Sequence, residues 1–151
     1  MSISDFNAVL KWWLGLENDR GGRAELRRAH NPTEVVFLPA YQRLNAMLNL
    51  PDKEALACVA GVCAHVKNHV DGEFTGYMSK GDKPIVSPRR FRRLLAINDR
   101  TELYHAMIRV VRLLGGKVNV VDLAKTVYWW NEGTKKQLAY DYYANANTKE
   151  E

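Results

Sequence analysis

The residues best equipped for chemistry fall into three groups. Cys58, Cys63, His65 and His69 crowd into twelve positions, Asp71, Glu73 and Asp82 lie close behind them, and arginines form rows at 20/23/27/28 and 89/90/92/93. The first group invites a metal reading, which its spacing opposes. On one helix Cys58 and His65 stand two turns apart, about 10 Å along the axis, too far to share a zinc ion. Cys63 and His69 would point about 120° apart. His65 and His69, at i and i+4, supply two ligands, but Val66 stands where zinc proteases carry a glutamate and no third ligand is at hand. No metal site is expected, and Cys58 and Cys63 are expected to be buried thiols.

Covalent catalysis is as poorly served. The histidines His30, His65, His69 and His105 are scattered, with no nucleophile elbow or Cys/His signature. The pairs Gly21-Gly22 and Gly115-Gly116 lack the surroundings of a phosphate-binding glycine loop. A metal-dependent nuclease or phosphohydrolase using Asp71, Glu73 and Asp82 is the enzyme alternative, though acidic loop residues are usually solvated. A non-catalytic protein without cofactors is the expectation.

The arginines remain, and their chemistry is anion binding. A guanidinium presents a planar fork of donors to a phosphate, which a lysine ammonium does not. At about 100° per residue, Arg89, Arg92 and Arg93 share one side of a helix, with Arg90 at its margin, while Phe91, Leu94 and Leu95 lie opposite. Arg20, Arg23 and Arg27 fall within about 60° of one another on a second helix, beside Arg28. Joined by Arg100, Arg109, Arg112, Lys135 and Lys136, these rows are the candidate nucleic-acid track. The competing structural reading pairs Arg20 and Arg23 with Glu17 or Glu25 and packs Arg100 at a helix junction. Trp129-Trp130 and Tyr140, Tyr142 and Tyr143 are candidate base-stacking groups, although aromatics at helical spacing usually belong to a core. No sequence-reading helix is evident, so contacts are expected to the phosphate backbone and not to base edges.

Length and charge set the frame for these rows. The chain has 151 residues, 46% hydrophobic and 26% charged, with a net charge of +5. Residues 1–86 carry 10 basic and 10 acidic groups, whereas residues 87–151 carry 12 and 7, so the whole excess lies in the second part. Such one-sided excess suits a polyanion, held by long-range attraction and counterion release. No apolar run reaches the roughly 20 residues of a membrane span and no signal pattern opens the chain, which favours the cytoplasm.

Apolar periodicity predicts helices throughout. The first runs from about Ser4 to Leu16, with Phe6, Val9, Leu10, Trp13 and Leu16 inward and Trp12 partly exposed. Asp19 caps a second, whose Gly21-Gly22 is either a loose start or a point of close backbone approach. Asn31-Pro32 ends it, and Pro39 splits residues 33–49 into two short pieces. Residues 52–70 read as the clearest buried helix, and 71–86 as a linker or mobile loop. Ser87 and Pro88 open the arginine helix, Asp99 and Glu102 cap the next as far as about Leu114, and Gly115-Gly116 stops it. Two more helices follow, 118–130 with Asn119 as cap and 132–144. Val118 to Val121, the one β-like run, is too isolated to build a sheet. The expected fold is all-α, as two packed bundles: residues 1–86, including loop 71–86, and a basic bundle at 87–151.

Four collinear patterns in this chain resemble the CasB family, the small subunit of the type I-E CRISPR surveillance complex, Cascade. They are Trp12-Trp13 followed by Asp19-Arg-Gly-x-Arg-Ala-x-Leu-Arg-Arg28; Pro39-Ala-Tyr with Arg43-Leu44; Ser87-x-x-Arg90-Phe91-x-x-Leu94-Leu95; and Trp129-Trp130 followed by Lys135-Lys136-x-Leu138. The resemblance implies an all-helical protein without enzymatic activity, paired with a second copy beside other Cascade subunits and the CRISPR RNA. It implies a basic surface that steadies the guide–target region and holds the displaced DNA strand while the R-loop forms. Carried over by motif, the contacts are Arg27, Arg28, Arg89, Arg90, Arg93, Arg100, Arg112, Lys135 and Lys136. The segment Phe74–Ser79 departs from the family's pattern and carries no contact over. A helical adaptor, its arginines meeting acidic partner surfaces, is the alternative from the residues themselves.

Overall fold

The computed structural model describes residues 6–146, so the predicted helix start at Ser4 lies outside the described residues. The chain is all-α, with ten α-helices among the described residues and one two-stranded sheet. The N-terminal part comprises α1 (Asn7–Gly15), a 3-10 turn (Leu16–Asn18), α2 (Arg20–Arg28), α3 (Pro32–Val36), α4 (Pro39–Leu48) and α5 (Lys53–Cys63). There follow β1 (Asn68–His69), α6 (Phe74–Ser79), α7 (Pro88–Leu95), α8 (Arg100–Leu113), β2 (Lys117–Val118), α9 (Val120–Tyr128) and α10 (Glu132–Asn145).

Local chemistry sets most of these boundaries. The side chains of Asp19, Asn31, Asp52, Ser87, Asp99, Asn119 and Asn131 each accept the N–H three residues on, at 2.9 to 3.2 Å. Each such cap satisfies a donor the helix cannot, and is worth about 1 kcal/mol. Pro32, Pro39 and Pro88 take the first helical turn, where no N–H is needed. At the end of α8, Gly115 and Gly116 both hold positive φ, 70° and 75°. A Cβ on Gly116 would also sit 2.8 Å from Cγ of Lys67, so glycine is required there twice over.

The middle of the fold is α5, buried from Ala55 to Cys63, which packs against α2, α3, α4, α8 and α9. One connected set of buried side chains runs from Phe6 to Tyr142. Tyr104 of α8 presses its ring against Gly61, where an added Cβ would meet Cε1 at 2.4 Å, and its hydroxyl donates to the Ala29 carbonyl at 2.9 Å. Phe91 stacks on Tyr142 with ring centroids 3.9 Å apart, tying α7 to α10. Cys58 and Cys63 are free, buried thiols.

Four expectations are corrected. The helix expected over 52–70 ends at Cys63, and the chain then turns so that Asn68 and His69 pair in parallel with Lys117 and Val118. Of the β-like run only Val118 pairs, with His69 of β1, while Val120 and Val121 open a helix. The linker expected over 71–86 contains α6, whose Phe74 and Met78 are fully buried and which packs on α10. The Phe74 N–H donates to Asp122 at 2.6 Å, and Val86 returns to Met78 through a 3.0 Å backbone bond. Trp12 is buried, because its Nε1–H reaches the Ala40 carbonyl of α4 at 2.9 Å.

Candidate nucleic-acid interface

Helix α7 buries Phe91 and Leu94, and its 3.6-residue period therefore sends Arg89, Arg90, Arg92 and Arg93 into solvent. Helix α8 buries Leu103, Met107, Val110 and Val111, which leaves Arg109 and Arg112 on its flank. The two flanks face each other across a groove of about 520 Å³. Arg90 and Arg93 line it from α7 and Arg109 and Arg112 from α8, over an aliphatic floor that includes Leu94, Ile97 and Val110. No carboxylate lines the groove. Among the described residues no ion pair includes any of the seven arginines on these two helices. Four cations thus share one concavity without internal compensation, and low-dielectric walls strengthen their joint field.

The row on α2 is held differently. Arg20 and Arg28 are exposed. Arg23 reaches the Val66 carbonyl through Nη2 at 2.6 Å and lies 5.9 Å from the centre of the Trp13 ring. Burial, followed by the nearby Arg27 charge, lowers its pKa below the usual arginine value, with Glu17 opposing. Arg27 donates from Nε to the Ala64 carbonyl at 2.8 Å. Between those two carbonyls in the chain stands His65, half-buried, with Nε2 buried and unpartnered. Its pKa is pushed down to about 4, first by desolvation, then by Arg112 and then by Arg27. One imidazole therefore feels both the α2 row and the α7–α8 groove. His65, weighed in the sequence only as a metal ligand, has charged neighbours, Arg27 and Arg112, that come from elements far away in the chain.

Other proposed contacts are committed elsewhere. Arg100 donates through Nη1 to the Val127 carbonyl and through Nη2 to the Tyr128 carbonyl at 2.7 Å, closing the C-terminal end of α9 with a positive charge. This is the junction role that the structural reading gave it. Lys135 bonds Asn98 at 2.7 Å and lies 5.4 Å from the centre of the Trp130 ring, while exposed Lys136 pairs with Glu132 at 3.4 Å. The arginine pairs with Glu17 or Glu25 that the competing structural reading offered do not occur as salt bridges among the described residues. Trp129 packs on Phe6, and Tyr142 is buried against Phe91, which leaves Tyr140 and Tyr143 as exposed rings. His69 is also spoken for, its Nδ1 accepting the Val120 N–H at the start of α9. Burial pushes the Cys58 thiol up to about 12 and Cys63 higher still, which holds both as thiols. No helix among the described residues is long and apolar enough to cross a membrane.

Fold and site together define an all-helical protein with an uncompensated arginine face. The chain belongs to the CRISPR-associated protein Cse2 family, whose model matches residues 22–143 and which is the CasB family of type I-E Cascade small subunits. Its fold is similar to that of a chain in the crystal structure of E. coli Cascade bound to a PAM-containing dsDNA target. That likeness has a TM-score of 0.69 at 22% sequence identity and covers 93% of this chain and 95% of that one. No curated protein matches the sequence.

Proposed function

We propose that this chain is a non-catalytic small subunit of a Cascade-type, RNA-guided DNA surveillance complex. Its partners are the other protein subunits, a second copy of itself, the CRISPR RNA, and target and non-target DNA. The observation that carries the reading is the α7–α8 groove, where Arg90, Arg93, Arg109 and Arg112 converge with no acidic side chain between them. Base pairing to a guide reads sequence, so a supporting subunit needs phosphate contacts alone. Exchange of a DNA duplex for a guide–target duplex is nearly balanced in free energy, and a few such contacts suffice to tip it. The role that follows is to steady the guide–target region and hold the displaced strand during R-loop formation. The division at residue 86 enters as a charge boundary, with the whole basic excess lying beyond it.

The test is a fluorescence titration of the isolated chain with single- and double-stranded DNA at low salt. Weak binding, without sequence preference and with steep salt dependence, is expected; no binding would overturn the reading. A nuclease assay with added Mg²⁺ or Mn²⁺ is expected to be blank, and cleavage sensitive to mutation would restore an enzymatic role. The aliphatic floor of the groove supports a second reading, an adaptor in which an acidic partner segment lays apolar side chains between the arginines. Charge reversal at Arg90 and Arg93 separates the two. The first reading has R-loop formation lost with assembly intact, and the second has assembly itself lost.

A further inference from the structure

Phosphate contacts use the cations of the α7–α8 groove and leave its floor without a role. That floor is aliphatic: Leu94, Ile97, Ala106 and Val110 line it, and exposed Leu113 stands beside them. Its volume of about 520 Å³ falls within the roughly 300–1,000 Å³ of small-molecule sites, which combine apolar walls with a few placed polar groups. The lining residues, all among the described ones, define the occupant by what they offer and what they lack. Four guanidiniums and no carboxylate call for an anionic group, held in a planar fork of donors. The rest of the occupant must be aliphatic. No aromatic ring lines the groove, so a nucleobase has no stacking platform there. No hydroxyl or amide side chain lines it either, so a peptide reaches the floor only with its side chains, its backbone amides having no side-chain partner. An unbranched hydrocarbon chain carries no polar group and can lie along the floor whole. A membrane fits less well, since its head groups form a plane and these cations stand on both walls of a concavity.

We propose that the α7–α8 groove binds a single amphipathic anion of the alkyl carboxylate class, its chain along the aliphatic floor and its carboxylate in the fork of a groove arginine. This goes beyond the nucleic-acid reading and does not rest on it, because the floor supplies an attraction that a phosphate backbone does not use. Where a strand also engages the groove arginines, the two ligands exclude each other.

The experiment titrates the full chain with hexanoate, octanoate, decanoate and dodecanoate below micelle formation, following side-chain methyl resonances by NMR. Shifts are expected at Leu94, Ile97, Val110 and Leu113, and not at Leu56 or Val59 in the buried helix α5. Affinity is expected to rise by up to about fourfold with each added methylene, the factor for burying one completely. Decyltrimethylammonium, with a similar chain and the opposite charge, is expected not to bind. Replacing Arg93 and Arg109 together by alanine is expected to weaken decanoate binding severalfold. So is Leu113→Asp, which places a carboxylate at an exposed position where the fold has little to lose. Affinity indifferent to chain length, equal binding of the cationic amphiphile, or shifts that spread to the α5 methyls would each overturn the proposal. Oligothymidylate binding without decanoate binding overturns it and leaves the nucleic-acid reading standing. Decanoate binding without oligothymidylate binding upholds it and overturns that reading.

Discussion

Replacing Arg93 and Arg109 together by alanine removes one cation from each wall of the α7–α8 groove. Both side chains are exposed and neither enters an ion pair among the described residues. The fold therefore has little to lose, and the thermal midpoint is expected to stay within the change of about 0.5 kcal/mol usual for such surface sites. Binding is different. Each phosphate neutralised on a single strand contributes about −0.7 to the slope of log affinity against log salt. With all four groove arginines engaged, their share of the slope is about −2.8, and raising salt from about 50 to about 200 mM weakens binding about fifty-fold. With two remaining, the share is about −1.4 and the same change costs about sevenfold. Anisotropy titrations of a labelled oligothymidylate at several salt concentrations measure the difference directly. An unchanged slope in the double variant would show that the groove does not hold phosphates, whatever the absolute affinity.

Other expectations address the scaffold. Arg100→Ala leaves the Val127 and Tyr128 carbonyls without their charged donor and is expected to cost about 2–3 kcal/mol in denaturant unfolding. The salt slope should hardly move, and a slope loss without destabilisation would return Arg100 to the phosphate track. Gly61→Ala drives a methyl into the Tyr104 ring and is expected to cost about 1–3 kcal/mol, whereas a neutral result would mean the ring yields freely. Cys58 and Cys63, with thiol pKa values raised by burial, should resist alkylation at mildly alkaline pH until the chain unfolds. Rapid labelling of the native protein would contradict their burial. The folded chain holds His65 at about 4 against an ordinary 6.5, so between those values the unfolded chain binds more protons. Stability is then complete above the upper value and falls as pH drops through the window, and His65→Gln should flatten that part of the profile.

The sequence announced its local structure and hid its distant contacts. Caps at Asp19, Ser87, Asp99 and Asn119 were legible because each acts on an N–H three residues away. The arginine arcs on α2 and α7 followed from helical period in the same way. Helix α6 was not legible: it is six residues long, Glu73 gives it no side-chain cap, and its fixing contacts with Asp122 and α10 lie far along the chain. Parallel pairing of β1 with β2 likewise needs Gly115 and Gly116 to turn Lys117 towards Asn68. In the candidate site, the spacing of Arg109 and Arg112 placed them on one flank, but their meeting with Arg90 and Arg93 depends on how α7 crosses α8. The twelve-residue Cys–His cluster drew attention for its ligand chemistry. The structure ends its helix at Cys63, gives His69 to the start of α9, and leaves His65 half-buried.

The most direct measurement compares R-loop yield by a reconstituted Cascade-type complex containing the wild-type chain with yield from one in which Arg90, Arg93, Arg109 and Arg112 are all changed to glutamate. Subunit content is quantified in the same preparations. Complete assembly with a severe loss of R-loops is the predicted result; undiminished R-loop formation, or failure of the variant chain to join the complex, would contradict the account.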